Sequence, residues 1–177
     1  YMDSLNDYLY ETANDKILQE DLEYIANSEI PFEEMKDSNV LVTGATGLIG
    51  VSLVRALLCT NRVRKLNLHV FALIRSKEKA EKIYKELLDR KDLFLIVGDV
   101  TEKISILQKI DYVFHCASVT ASKIMVSNPV ETLLTSVDGT KNILNFAKEN
   151  SCKSIVYVSS MEMYGSFAEA NNNVTET

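Results

Sequence analysis

Three glycines, at positions 44, 47 and 50, fall within the stretch Asn39-Val-Leu-Val-Thr-Gly-Ala-Thr-Gly-Leu-Ile-Gly50. Ahead of them, Val40, Leu41 and Val42 form an apolar run long enough for a buried strand. After them, Ile49, Leu53, Val54, Leu57 and Leu58 recur at helical spacing. Strand, glycine turn and helix in that order make an anion-binding arrangement. The first glycine lets the chain turn tightly, the second leaves bare backbone for a pyrophosphate, and the third lets the helix pack close to the strand. The helix adds unsatisfied N–H groups and the positive end of its dipole. The spacing points to a bound dinucleotide, with Gly44, Thr46, Gly47, Leu48, Ile49 and Gly50 as candidate contacts.

Further candidates stand where later apolar runs end. The run Leu68–Ile74 is followed by Arg75, Ser76 and Lys77, and no Asp or Glu occurs from Val51 to Lys77. An acid near this position commonly takes the ribose hydroxyls of NAD. Arg75, with Ser76 beside it and Lys77 as a partial substitute, suits a 2′-phosphate instead, so the expected cofactor is NADP, with NAD as the alternative. Gly98-Asp99-Val100 ends the next run. Asp99 can accept from an adenine amino group or cap a helix starting near Thr101. His115-Cys116-Ala117-Ser118 ends the fourth, with side chains small enough for a cofactor to lie on the backbone. His115 itself reads as a packed strand histidine rather than a base.

The elements that must hold these residues alternate. Strands are expected at 40–42, 68–74, 93–97, 111–115 and 154–158. Helices are expected from Leu48, over Ser76–Arg90, around 102–109 and over Asn128–Asn150, with Pro129 in the first turn of the last. The strands are apolar throughout, which predicts an α/β fold: a Rossmann-like, doubly wound parallel sheet with helices on both faces. Residues 3–27 form a further helical pattern through Leu5, Tyr8, Leu9, Ala13, Ile17, Leu18, Leu22 and Ile25. Asn14 or Asp15 is a natural break in it, and Pro31 its end.

The chain divides by charge. Residues 1–38 hold eleven Asp/Glu against two Lys/Arg, whereas residues 39–177 hold fourteen against seventeen. The expected organisation is an acidic helical extension over 1–38, as a packing element or homodimer contact, before a single dinucleotide-binding domain over 39–177. A slightly basic domain with no dense basic–aromatic stripe suits a small anionic ligand rather than nucleic acid. No apolar run approaches the ~18 residues of a membrane span. Three separated cysteines, Cys59, Cys116 and Cys152, read as thiols of a reducing, cytoplasmic compartment and not as a metal site.

The run Ser159-Ser-Met-Glu-Met-Tyr-Gly165 makes the pattern more specific. Together with Thr43–Gly50, Gly98-Asp-Val100 and His115-Cys-Ala-Ser118, it resembles the extended short-chain dehydrogenase/reductases, in the NAD-dependent epimerase/dehydratase family that acts on nucleotide sugars. Asn128-Pro129 and Asp138-Gly-Thr140 also match. The similarity covers 39–177 and corresponds to the N-terminal half of such an enzyme. The resemblance implies that Ser160 is the active-site hydroxyl, bonding a sugar oxygen during hydride transfer. It also implies that Thr135 stands where many members carry an asparagine. The family's catalytic tyrosine precedes a lysine by four residues, whereas Tyr164 is followed by Ala168 and no later tyrosine exists. The expectation is therefore a truncated chain, inactive alone, from an enzyme that oxidises a sugar carbon transiently. The alternatives are an NADPH-dependent carbonyl or thioester reductase of the same fold, and a non-catalytic dinucleotide sensor.

Overall fold

The structure is a computed structural model that describes residues 10–12, 15–119 and 122–160. The expected strands and most of the helices form. The strands are β1 (Asn39–Thr43), β2 (His69–Ile74), β3 (Leu93–Val97), β4 (Tyr112–His115) and β5 (Ser154–Tyr157). The helices are α1 (Lys16–Ala26), α2 (Leu48–Arg64), α3 (Lys77–Ile83), α4 (Ser122–Ser127) and α5 (Pro129–Glu149). The strands make one sheet in the order β3-β2-β1-β4-β5, parallel throughout.

Alternation along each strand feeds two cores. Val40, Val42, Val70, Ala72 and Ile74 face α2 and α3, meeting Val54, Leu58, Ala80 and Tyr84. Leu41, Phe71, Leu73 and Val113 face the other way, onto Ile143, Phe146 and Ala147 of α5. Because both faces are covered, the strands read as unbroken apolar runs, and burying each Val or Leu contributes roughly 1.5–3 kcal/mol. The register aligns the strand ends: Thr43 lies between Leu73 and His115, and His115 beside Tyr157.

Several expectations need correction. α1 begins at Lys16, at the break expected at Asn14 or Asp15, and Asp15 caps it by accepting from Leu18 N–H at 2.9 Å; residues 3–9, 13 and 14 of the expected helical stretch lie outside the described residues. α1 ends at Ala26, ahead of Pro31, because Arg64 of α2 takes over the carbonyls of Ala26, Ser28 and Ile30. Its buried face is Gln19, Leu22 and Ala26, while Ile17 is 75% exposed. α3 is also shorter than the expected Ser76–Arg90: Tyr84 turns into the core, and a 3-10 turn over Lys85–Leu87 follows. No helix forms around 102–109. Ile104, Ile106 and Ile110 pack at even spacing on the second core while Leu107 is fully exposed, a pattern that extended chain satisfies and a helix does not. α4 is an element that the periodicity did not show.

Candidate functional site

The carboxyl ends of β1 to β4 open onto a cavity of about 430 Å³. Its floor is the glycine turn, and the three glycines have three different reasons. Gly44 has φ +64°, and a Cβ there would stand 2.7 Å from both Ala117 N and Cys116 O. At Gly50 a Cβ would stand 2.2 Å from Gly44 O, so the first turn of α2 can lie against the strand end only without a side chain. Gly47 caps α2 with ordinary negative φ, and its Cβ would meet only Gly44 O, at 3.2 Å. Neither backbone strain nor a hard clash requires glycine at 47, although a Cβ there would press on Gly44 O and glycine is itself a favoured N-cap residue.

Around the turn, the walls are set by contacts remote in sequence. Thr43 Oγ1 accepts from Ala117 N–H at 3.2 Å and pairs with His115 Nδ1 at 2.7 Å, which draws Cys116, Ala117 and Ser118 against Gly44. His115 is buried, stacks obliquely on Tyr157, and is held below the ordinary histidine value by desolvation. It is a neutral packed residue, as expected. The loop Gly98-Asp99-Val100 is held by α5: Asn142 Nδ2 donates to Val100 O at 3.1 Å, and Gly139 admits the Val100 side chain. Thr135, one further element of α5, completes that wall.

Asp99 accepts from both the N–H and the hydroxyl of Thr101, at 2.9 and 2.8 Å. The capping geometry therefore forms, around a turn rather than a helix, and the residue still lines the cavity. Burial opposes ionisation of Asp99, but the Thr101 bonds and the charge of Arg75 outweigh it and hold the carboxyl below its ordinary range. Arg75 lines the cavity, as do Thr46, Leu48 and Ile49. Ser76 stands outside the lining: it caps α3, its hydroxyl accepting from Lys79 N–H at 3.2 Å. Lys77 faces Glu81 at 3.7 Å. The second cation on the cavity is instead Lys79, which sequence reasoning missed, together with Leu73, Ile74, Gly98 and Val119. No local signal in the sequence marks Lys79, since the cap at Ser76 fixes where α3 starts but not which side chain of its first turn meets the cavity.

Ser160 is exposed two residues beyond Val158, whose N–H donates to His115 O at 3.0 Å. It therefore stands past the carboxyl end of β5 and is not among the residues that line the cavity. Met161 to Thr177, including the Tyr164 motif, lie outside the described residues. Cys59 is buried and Cys116 and Cys152 half-buried, all three unbridged. Among the described residues, no acidic–histidine–cysteine cluster could hold a metal, and no helix is long and apolar enough to cross a membrane.

A parallel sheet with helices on both faces and a glycine turn leading into a helix N-terminus at its carboxyl end defines a Rossmann-like nucleotide-binding fold. The chain belongs to the NAD dependent epimerase/dehydratase family, whose profile matches residues 40–177. An uncharacterized membrane protein of Methanocaldococcus jannaschii is 30% identical over 70% of this chain and 36% of its own. A UDP-N-acetylglucosamine 4-epimerase of Methanobrevibacter ruminantium, solved with UDP-N-acetylmuramic acid, superposes with a TM-score of 0.67 at 26% identity, over 81% of this chain and 44% of that one. A dTDP-glucose 4,6-dehydratase of Streptomyces venezuelae, solved with NAD, gives 0.64 at 25% identity, over 74% and 42%. The chain thus spans less than half the length of these relatives.

Proposed function

We propose that the cavity holds a nicotinamide dinucleotide and that residues 39–177 are the cofactor-binding part of a nucleotide-sugar epimerase or dehydratase, with residues 1–38 as an added extension. The observation that carries the reading is the convergence of the Gly44–Gly50 turn, the α2 N-terminus and three strand ends on one cavity, in a chain of this family. The two solved relatives, an epimerase and a dehydratase, support the substrate class.

Each wall would then have one task. Bare backbone at Gly47 and the first N–H groups of α2 would receive the pyrophosphate. Arg75 and Lys79 would meet a 2′-phosphate, which favours NADP over NAD. Asp99 would accept from the adenine amino group. Cys116, Ala117 and Ser118 would offer a narrow, apolar wall, and Ser160 would hydrogen-bond a sugar oxygen. The nicotinamide, when bound, would supply hydride acceptance and return. On this reading the 177 residues carry no turnover by themselves, since no tyrosine four residues ahead of a lysine follows Ser160 in them.

The test is a titration of the protein with NADP+ and NAD+, followed by addition of UDP- and dTDP-sugars. Binding of both dinucleotides, with NADP+ tighter and no turnover, is expected. Absence of dinucleotide binding overturns the reading. The two cations would equally suit an NADPH-dependent reductase. Release of oxidised cofactor in every turnover of a chain that carries the tyrosine–lysine pair would decide for that alternative.

A further inference from the structure

Tyr84 is the largest of the fully buried side chains and ends α3. It does not line the cavity, yet its hydroxyl reaches under the glycine turn and donates to the carbonyl oxygen of Ala45. Ala45 is itself fully buried. Its N–H contacts Leu73 O only at 3.5 Å, and the turn is closed by Gly47 N–H on Gly44 O at 2.9 Å. Without Tyr84 the Ala45 carbonyl would be a buried acceptor with no partner among the described residues, a costly state. Arg55 of α2 braces this support from the other side, donating to Ile83 O at 3.1 Å, one residue before Tyr84.

The consequence follows from peptide planarity. In a trans peptide the C=O and the following N–H point in opposite directions. The Ala45 carbonyl points into the core, at Tyr84. The Thr46 N–H therefore points away from the core, on the side where Thr46 lines the cavity, and it donates to no group among the described residues. We propose that Tyr84 is a positioning residue for the cofactor turn, holding the Ala45–Thr46 peptide so that the Thr46 N–H is presented to a pyrophosphate oxygen. This rests on the dinucleotide reading of the cavity. It also gives α3 two roles at one ligand: its first turn carries Lys79 on the cavity, and the residue that caps its C-terminus, Tyr84, sets the turn under the phosphates.

The test compares Tyr84→Phe with the unaltered protein, and with Leu87→Ala as a control that weakens the same core without touching the turn. Tyr84→Phe should weaken NADP+, NAD+ and ADP-ribose about tenfold, the loss of one well-aimed bond to a charged group. It should leave adenosine, which carries no phosphate, unchanged, and Leu87→Ala should lower thermal stability without that split. Equal weakening of adenosine and ADP-ribose, or unchanged ADP-ribose affinity, overturns the inference while leaving the dinucleotide reading intact. Failure of the unaltered protein to bind any dinucleotide overturns both. Should Tyr84→Phe not fold, amide NMR of the unaltered protein decides. The Thr46 N–H should move downfield when ADP-ribose binds, and a stationary Thr46 signal with ADP-ribose bound overturns the proposal.

Discussion

The two ends of this sheet use their cations in opposite ways. At the carboxyl end, Arg75 and Lys79 face the cavity, and neither has an ion-pair partner among the described residues. At the amino end, where α2 finishes, every arginine is occupied. Glu11, its side chain fully buried, accepts from Arg62 Nε and Nη2 at 3.1 and 3.0 Å and from Arg90 Nη1 at 2.9 Å. Arg90 also grips Asp92 through two bonds, at 2.8 and 2.7 Å. Arg64 ties down the end of α1 and pairs with Glu33. Buried, fully bonded charge of this kind holds elements together, and removing one partner is expensive. Charge left on an open cleft is available to an external anion. The same residue types therefore serve as a clasp between Glu11, α1 and the sheet at one end and, on the function proposed above, as an anion-receiving wall at the other.

The largest effect should come from breaking the clasp. Glu11→Ala removes the carboxylate that Arg62 and Arg90 share and leaves Arg90, nearly buried, with Asp92 as its remaining ion-pair partner, and should cost about 3 kcal/mol in a denaturant melt. Dinucleotide affinity of the folded protein should hardly change. Acid should do the same gradually. Burial would raise the Glu11 carboxyl, but the bonds from Arg62 and Gln19 and the Arg62 charge outweigh it and hold the group below its ordinary value of 4.5. Asp92 is likewise held low by Arg90 and Asn61 against its burial. A depressed carboxyl contributes fully above its unfolded value, so this stability should be present at neutral pH and fall away as pH drops below about 4. A melt whose midpoint is flat from pH 7 to the acid range would show the clasp to be energetically idle.

Gly47→Val tests the opposite end. A Cβ at 47 meets only Gly44 O closely, so the fold should survive while dinucleotide binding falls about a hundredfold or more, equal to roughly 2.7 kcal/mol. Retained affinity would mean that the turn is purely structural. Arg75→Ala should act more mildly, removing most of a roughly tenfold preference for NADP+ over NAD+, measured by titration at one salt concentration. Lys79→Ala should cost only about threefold in NADP+ affinity, because a flexible ammonium makes a less directed contact. If the unaltered protein prefers NAD+, both cations are wrongly assigned and the comparison between the two ends loses its functional half.

Much of the site was legible because its signals are local. Glycines three residues apart, an apolar run before them and a helical period after them depend only on near neighbours, and the turn forms as those residues require. The start of α1 at Asp15 and of α5 at Pro129 are of the same kind. Arg75 and Asp99 were found because a strand end is visible where apolar residues stop. Ser76 against Lys79 was not, since which first-turn side chain reaches the cleft depends on the angle at which α3 leaves the sheet.

What only the tertiary structure decided are the pairings between residues far apart in the chain. Gln19 reads as an interruption of an apolar face, yet it is buried because Glu11 and Glu23 accept from it. Glu11 reads as one more charge in an acidic leader until Arg62 and Arg90 converge on it across 51 and 79 residues. The stretch after Thr101 looks helical by composition but runs extended, because its isoleucines answer to the core under them rather than to each other. Tyr84 looks like any aromatic on a helix face, and only packing brings its hydroxyl to Ala45. Short-range spacing determined the five strands, the helices α2 and α5 and the glycine turn between β1 and α2. The low-dielectric contacts between elements, which no local period encodes, decided which charges became structure and which stayed on the open cavity.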